Sequence, residues 1–87
     1  RLVVTQDSVI FADFKSDAFV PASLAEIPAH YISQLAAYCV ALGQAFPGRR
    51  LRALLIFTGG PRVFEVPAEL LESAWQRLKM QTSPAFA

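Results

Sequence analysis

From Leu51 to Thr58 the chain is nearly all apolar, with Leu51, Ala53, Leu54, Leu55, Ile56 and Phe57, and Thr58-Gly59-Gly60-Pro61 then turns it. Such a segment reads as a central strand covered on both faces. A central strand requires partners, and the flanking sequence supplies them. Arg62 to Val66 alternates and follows the Gly-Gly-Pro turn, so it reads as the second arm of a hairpin. Upstream, Leu2 to Thr5 and Val9 to Lys15 are β-prone runs separated by Gln6-Asp7-Ser8, which predicts another hairpin.

Two helices complete the pattern. From Ala29 to Phe46, residues Tyr31, Leu35, Tyr38, Leu42 and Phe46 recur at three- and four-residue steps, the spacing of one helix face. The unbroken apolar run from Leu35 to Leu42 predicts burial on more than one side, against a sheet. Pro47-Gly48 ends this helix. Pro67, with Glu69 in the first turn, opens a second helix whose Leu70, Leu71, Ala74, Trp75 and Leu78 share a face. The tail from Met80 onward is expected to fray. The segment from Phe19 to Ile27 is a loop leading into the first helix. The predicted order is β-β-α-β-β-α, a mixed α/β sheet in one small domain spanning residues 1–87.

Composition narrows the function classes. The chain is 54% hydrophobic and 17% charged, richer in apolar residues than an average soluble domain, which suggests surface that a neighbour covers. A net charge of +1 neither demands nor excludes nucleic acid. Cys39 is the single cysteine; it sits in an apolar stretch and fits a core thiol in a reducing, cytoplasmic setting. Apolar runs fall far below the ~20 residues of a membrane span. One histidine, His30, rules out a His-based zinc cluster or a Ser-His-Asp triad within the chain; it reads as a helix-start surface residue. Gly59-Gly60 lacks a following lysine and reads as turn chemistry, not a phosphate loop. Arg49, Arg50, Arg52 and Arg62 suit either a solvated rim or DNA phosphates. Trp75 reads as a packing anchor.

The chemistry concentrates in Val9-Ile10-Phe11-Ala12-Asp13-Phe14-Lys15. Asp13 and Lys15 are two apart on a strand, so both side chains leave one face with α-carbons roughly 6.5 to 7 Å apart. Charge at the end of an apolar strand requires a partner: a metal, a water or an opposite charge. A carboxylate is the preferred ligand of Mg²⁺, which retains waters and takes one or two protein carboxylates. A neighbouring lysine can orient a metal-bound water and stabilise charge on a phosphate. Gln34 and Tyr38 stand at i and i+4 on the first helix and offer an amide and a phenol to the same region. Alone, Asp-x-Lys equally describes a surface ion pair, and Tyr38 and Gln34 equally describe a core aromatic and a surface amide.

Asp13-Phe14-Lys15-Ser16 resembles the Asp-Tyr-Lys-Ser/Thr motif of the PD-(D/E)XK nucleases, and Gln34-x-x-x-Tyr38 resembles the motif of their RecB-like branch. Arg52-Ala53-Leu54-Leu55-Ile56-Phe57-Thr58-Gly59-Gly60-Pro61-Arg62 is similar to the C-terminal end of AddA-type helicase-nuclease subunits. The similarity covers roughly Arg1 to Ala74. It implies a restriction-endonuclease-like mixed sheet, truncated at its N-terminal side, and a Mg²⁺-dependent DNA exonuclease of double-strand-break repair. ATP would serve only a helicase part outside this chain, and the implied partners are DNA and an AddB-type subunit. By the same resemblance Asp13 and the backbone carbonyl of Phe14 hold the metal and Lys15 assists the attacking water. Gln34, Tyr38 and Ser16 would support the site or the DNA backbone.

Family members read Ile-Asp-Arg-Leu across an earlier metal ligand, whereas this chain begins Arg1-Leu2. The first catalytic Asp is therefore expected just before Arg1, with the opening helix and first strand also outside the chain. The isolated fragment is then expected to be inactive and to bind metal weakly. Its uncovered sheet edge invites a non-native homodimer. Phe14 replaces the usual Tyr. Two alternatives stand beside this reading: an inactive module of the same fold that binds DNA or docks a partner subunit, and an unrelated α/β domain.

Overall fold

Burial alternates along Arg50–Phe57 and marks the side of the sheet that is covered. In a computed structural model that describes residues 1–81, the chain forms β1 (Leu2–Val4), β2 (Ser8–Lys15), α1 (Ala29–Ala45), β3 (Arg50–Phe57), β4 (Arg62–Val66) and α2 (Ala68–Gln81). A short 3₁₀ turn, Leu24–Glu26, lies in the loop before α1. The sheet order is β1-β2-β3-β4. Both hairpins are antiparallel, and β2 runs parallel to β3 with Lys15 opposite Phe57. The parallel pair needs a crossover, which α1 provides. The result is an α/β fold with a four-stranded mixed sheet and two helices, in the order read from the sequence.

Odd-numbered residues of β2 and β3 face the helices. Val9, Ala53, Leu55 and Phe57 are buried there with Ile32, Leu35, Ala36 and Cys39 of α1 and Ala74 of α2. Burial holds the Cys39 thiol above its ordinary pKa, as suits a core thiol. Val66 of β4 and Ile27 of the loop close the same core.

Even-numbered residues face the other way. Leu54 and Ile56 are only partly buried, Phe14 is 54% exposed and Val63 of β4 is 60% exposed. This corrects the reading of the run from Leu51 to Thr58 as a strand covered on both faces. The smallest dimension of the molecule, 19 Å, accommodates one helix layer on one sheet, since packed layers stand about 10 Å apart. Similarly, α1 buries one stripe, Ile32, Leu35, Ala36 and Cys39, while Tyr38 and Ala41 within its apolar run are exposed. Alanine and tyrosine tolerate either environment, so that run overstated the burial.

The helix ends follow the sequence closely. α1 stops at Ala45, and Gly48 takes φ +82°, a left-handed conformation that glycine adopts without a Cβ clash. Pro67 caps α2, its carbonyl accepting from the amides of Leu70 and Leu71. α2 continues through Met80 to Gln81, further than the sequence suggests; the rest of the tail lies outside the described residues. No helix among the described residues is long and apolar enough to cross a membrane.

On the open face, Arg52 and Glu65 form a two-point ion pair, with Nε and Nη2 donating to the two carboxylate oxygens at 3.0 and 2.7 Å. The Arg52 hydrogen bond holds the Glu65 carboxyl below its ordinary 4.5 against a smaller opposing effect of desolvation. A carboxyl depressed in the folded state adds stability that is present above pH 4.5 and is lost as pH falls through its folded pKa. Glu65→Gln should therefore flatten the decline in stability below pH 4.5, measured by denaturant titration across pH. The pair is exposed, so the change at neutral pH should be small.

Candidate functional site

β2 leaves the core at its C-terminal end, where Phe11, Asp13 and Lys15 continue the helix-facing side begun by the buried Val9. Polar groups replace apolar ones where the cover of α1 ends. Lys15 Nζ lies 3.1 Å from Asp13 Oδ2, with the two side chains 17% and 25% exposed. The two-residue strand spacing thus brings the acid and the amine together as expected. The same ammonium stands 4.2 Å from the centre of the Tyr31 ring. Tyr31 in turn donates from its hydroxyl to Asp17 Oδ2. That hydrogen bond raises the Tyr31 pKa above its ordinary value, with desolvation and then the negative charges of Asp17 and Asp13 acting in the same sense.

The site is therefore a cluster of Asp13, Lys15, Asp17 and Tyr31 at the carboxyl end of the parallel strand pair. The ends of parallel strands are where α/β sheets present ligand-binding groups. The sequence pattern places Tyr31 only on the face of the first helix and gives Asp17 no role. Tyr31 carries one signal, its place three residues before Gln34 and seven before Tyr38 on the same helix stripe. Asp17 carries only its position two residues beyond Lys15.

The other expected residues do not join this cluster. Tyr38 is 53% exposed and its ring centre stands 5.1 Å from that of Phe11, which is one side-chain step before Asp13 on the strand face. Gln34 is exposed and lines a shallow cavity with Ser33, Ala37 and Arg77. Among the described residues no hydrogen bond or ring contact joins Gln34 or Tyr38 to Asp13 or Lys15. Ser16 is exposed just past the strand end. His30, also exposed, meets the Tyr31 ring edge-on at 4.5 Å. Of the arginines, Arg52 pairs with Glu65, Arg62 donates to the Ala22 carbonyl at 3.1 Å, and Arg49 lies over the Phe46 ring. Trp75 packs against the core.

Register determines where the Phe14 carbonyl points. In a parallel pair one residue makes both of its backbone bonds to the same neighbour, and the next residue faces the other side. The Lys15 carbonyl accepts from the Thr58 amide at 2.9 Å, so Lys15 bonds toward β3. Ala12 exchanges both its backbone bonds with Arg1 on the β1 side. Phe14 has the parity of Ala12, so its carbonyl turns toward the β1 side and away from the β3 ladder.

The donor set can be tested against a hard divalent cation. Among the described residues no three His, Cys, Asp or Glu side chains gather to hold a metal. A cation at this end would be held by Asp13, the Phe14 carbonyl and waters, which matches the water-rich coordination of Mg²⁺. The Lys15 ammonium already stands 3.1 Å from Asp13, so a cation here would share that carboxylate. The residues fit the group in this limited form.

The β3–β4 turn fixes the geometry from behind. A β-carbon at Gly59 would stand 2.6 Å from the Asp17 carbonyl oxygen, whereas one at Gly60 would meet Val20 at an ordinary 3.5 Å. Gly59→Ala should destabilise the protein by about 1 to 3 kcal/mol by forcing the Asp17 backbone away. Gly60→Ala should cost much less. Chemical denaturation of the two variants side by side checks this.

No family model, curated protein or solved structure matches the chain.

Proposed function

We propose that this chain carries the nuclease site of a RecB-like, AddA-type helicase-nuclease, and that the site hydrolyses DNA phosphodiester bonds with Mg²⁺. The observation that carries the reading is the Asp13 carboxylate beside the Lys15 ammonium at 3.1 Å, on the carboxyl end of a parallel strand pair, next to the Phe14 carbonyl turned away from β3. The fold order and the Asp13-Phe14-Lys15-Ser16 and Gln34-x-x-x-Tyr38 motifs support it.

Register adds a further reason. Leu2 pairs with Phe11, and Arg1 exchanges both backbone bonds with Ala12. In a longer chain that kept this pairing, the residue preceding Arg1 would oppose Asp13 as a non-hydrogen-bonded partner, with α-carbons about 4.5 Å apart and both side chains on one face. An acidic residue there would supply a second carboxylate to the same cation.

A bound cation would polarise the scissile phosphate and lower the pKa of an attacking water. Asp13 and the Phe14 carbonyl would hold it. Lys15 is an ammonium with three N–H donors; it orients the water and neutralises charge that builds on the phosphate. Tyr38, Gln34 and Ser16 offer polar contacts to the DNA backbone along the neighbouring surface.

The test is Mg²⁺-dependent release of nucleotides from DNA ends by the full-length protein. Degradation should require Mg²⁺ and disappear in Asp13→Ala. Undiminished degradation in that variant removes the reading. The open sheet face, with Phe14 and Val63 exposed, favours a second reading: an inactive module of the same fold that docks an AddB-type subunit or holds DNA. It is supported if the native protein binds DNA or that subunit, degrades nothing, and loses binding in Phe14→Asp.

A further inference from the structure

A single ion pair fixes the distance of an ammonium from its carboxylate but leaves its direction free. Here Lys15 Nζ has a second attachment, the Tyr31 ring face at 4.2 Å. That ring is braced on several sides. Its hydroxyl donates to Asp17, its edge meets His30 at 4.5 Å, and Phe57 of the core stands 6.3 Å away. Gly59 packs close to the Asp17 backbone, where a β-carbon would stand 2.6 Å from the Asp17 carbonyl oxygen. Donation to a carboxylate also enriches the phenol ring in electrons, which strengthens its attraction for a cation.

We propose that Tyr31, braced by Asp17, is the positioning residue of this site, keeping the Lys15 ammonium in place when Asp13 shares its carboxylate with another partner. The proposal rests on the nuclease reading for its catalytic meaning. Without the ring, Lys15 would follow Asp13 alone and lose its fixed direction toward the phosphate.

The experiment reads Lys15 directly. An aromatic ring shifts protons above its face upfield, so the Lys15 ε-methylene signals in the native protein should be displaced upfield of those of exposed lysines. The displacement should shrink in Tyr31→Phe, which keeps the ring but loses its bond to Asp17, and vanish in Tyr31→Leu. Asp17→Ala, at a partly exposed position, should reduce it by freeing the ring, and provides the same readout should Tyr31→Leu fail to fold. In the full-length protein, Tyr31→Leu should lower kcat for DNA hydrolysis roughly tenfold with little change in KM, the scale of one cation–π contact. Tyr31→Phe should fall between the native rate and that of Tyr31→Leu.

Lys15 signals at exposed-lysine positions in the native protein, or native kcat in Tyr31→Leu, overturn the proposal. A displaced signal that behaves as expected in a protein unable to degrade DNA upholds the contact and removes the nuclease reading instead.

Discussion

Phe57→Ala should destabilise the protein by about 3 to 5 kcal/mol, the cost of emptying a large aromatic site in a packed core. Phe57 is fully buried at the last position of β3, paired with Arg62 across the hairpin and with Lys15 across the parallel ladder. Its ring stands 6.0 Å from Phe64 edge-on and 6.3 Å from Tyr31. No neighbour can collapse into the space without moving β4 or α1. A chain of 87 residues has a total stability of only about 5 to 15 kcal/mol, so the loss consumes a large part of it. Urea unfolding followed by circular dichroism measures it. Because Phe57 supports Tyr31 from below, the variant should also loosen the Lys15 end of the sheet.

On the proposed nuclease reading, Lys15→Ala should lower kcat for DNA hydrolysis in the full-length protein by roughly 10² to 10³-fold, the usual loss when one preorganised donor to a developing negative charge is removed. Stability should change far less than activity. The variant removes a partly exposed ion pair, and such pairs contribute at most about 1 kcal/mol. The ratio of the two effects separates a reacting-site lysine from a structural one. Steady-state kinetics beside denaturant titration provides it, and a kcat that falls only in step with unfolding would assign Lys15 to structure alone.

Much of the backbone was legible because it follows from periodicity and punctuation. The two hairpins are announced by Gln6-Asp7-Ser8 and Gly59-Gly60-Pro61, and α1 ends within one residue of Phe46, where Pro47-Gly48 forbids continuation. Strand alternation likewise gave Asp13 and Lys15 one face. What a local pattern does not encode is which of two apolar faces receives a covering layer. Leu54 and Leu55 are chemically identical, yet Leu55 is fully buried and Leu54 is not; only the placement of α1 and α2 distinguishes them.

The site shows the same division. Asp13 and Lys15 are neighbours along one strand, so their meeting is a local matter. Asp17 and Tyr31 are 14 residues apart and meet only because the loop after β2 returns under the start of α1. Gly59, read as turn chemistry, also sets how close that loop can come. Its role is visible only once the Asp17 carbonyl is opposite it.

Asp13 and the Phe14 carbonyl are proposed to make one cation-binding end to this sheet. The direct measurement is paramagnetic broadening of the amide signals by Mn²⁺, which shares the oxygen-ligand preference of Mg²⁺. Broadening should centre on Asp13, Phe14 and Lys15, spread to Tyr31, weaken as Mg²⁺ is added, and be lost from this region in Asp13→Ala. Broadening centred on Glu69 and Glu72, or unchanged in Asp13→Ala, would contradict the account.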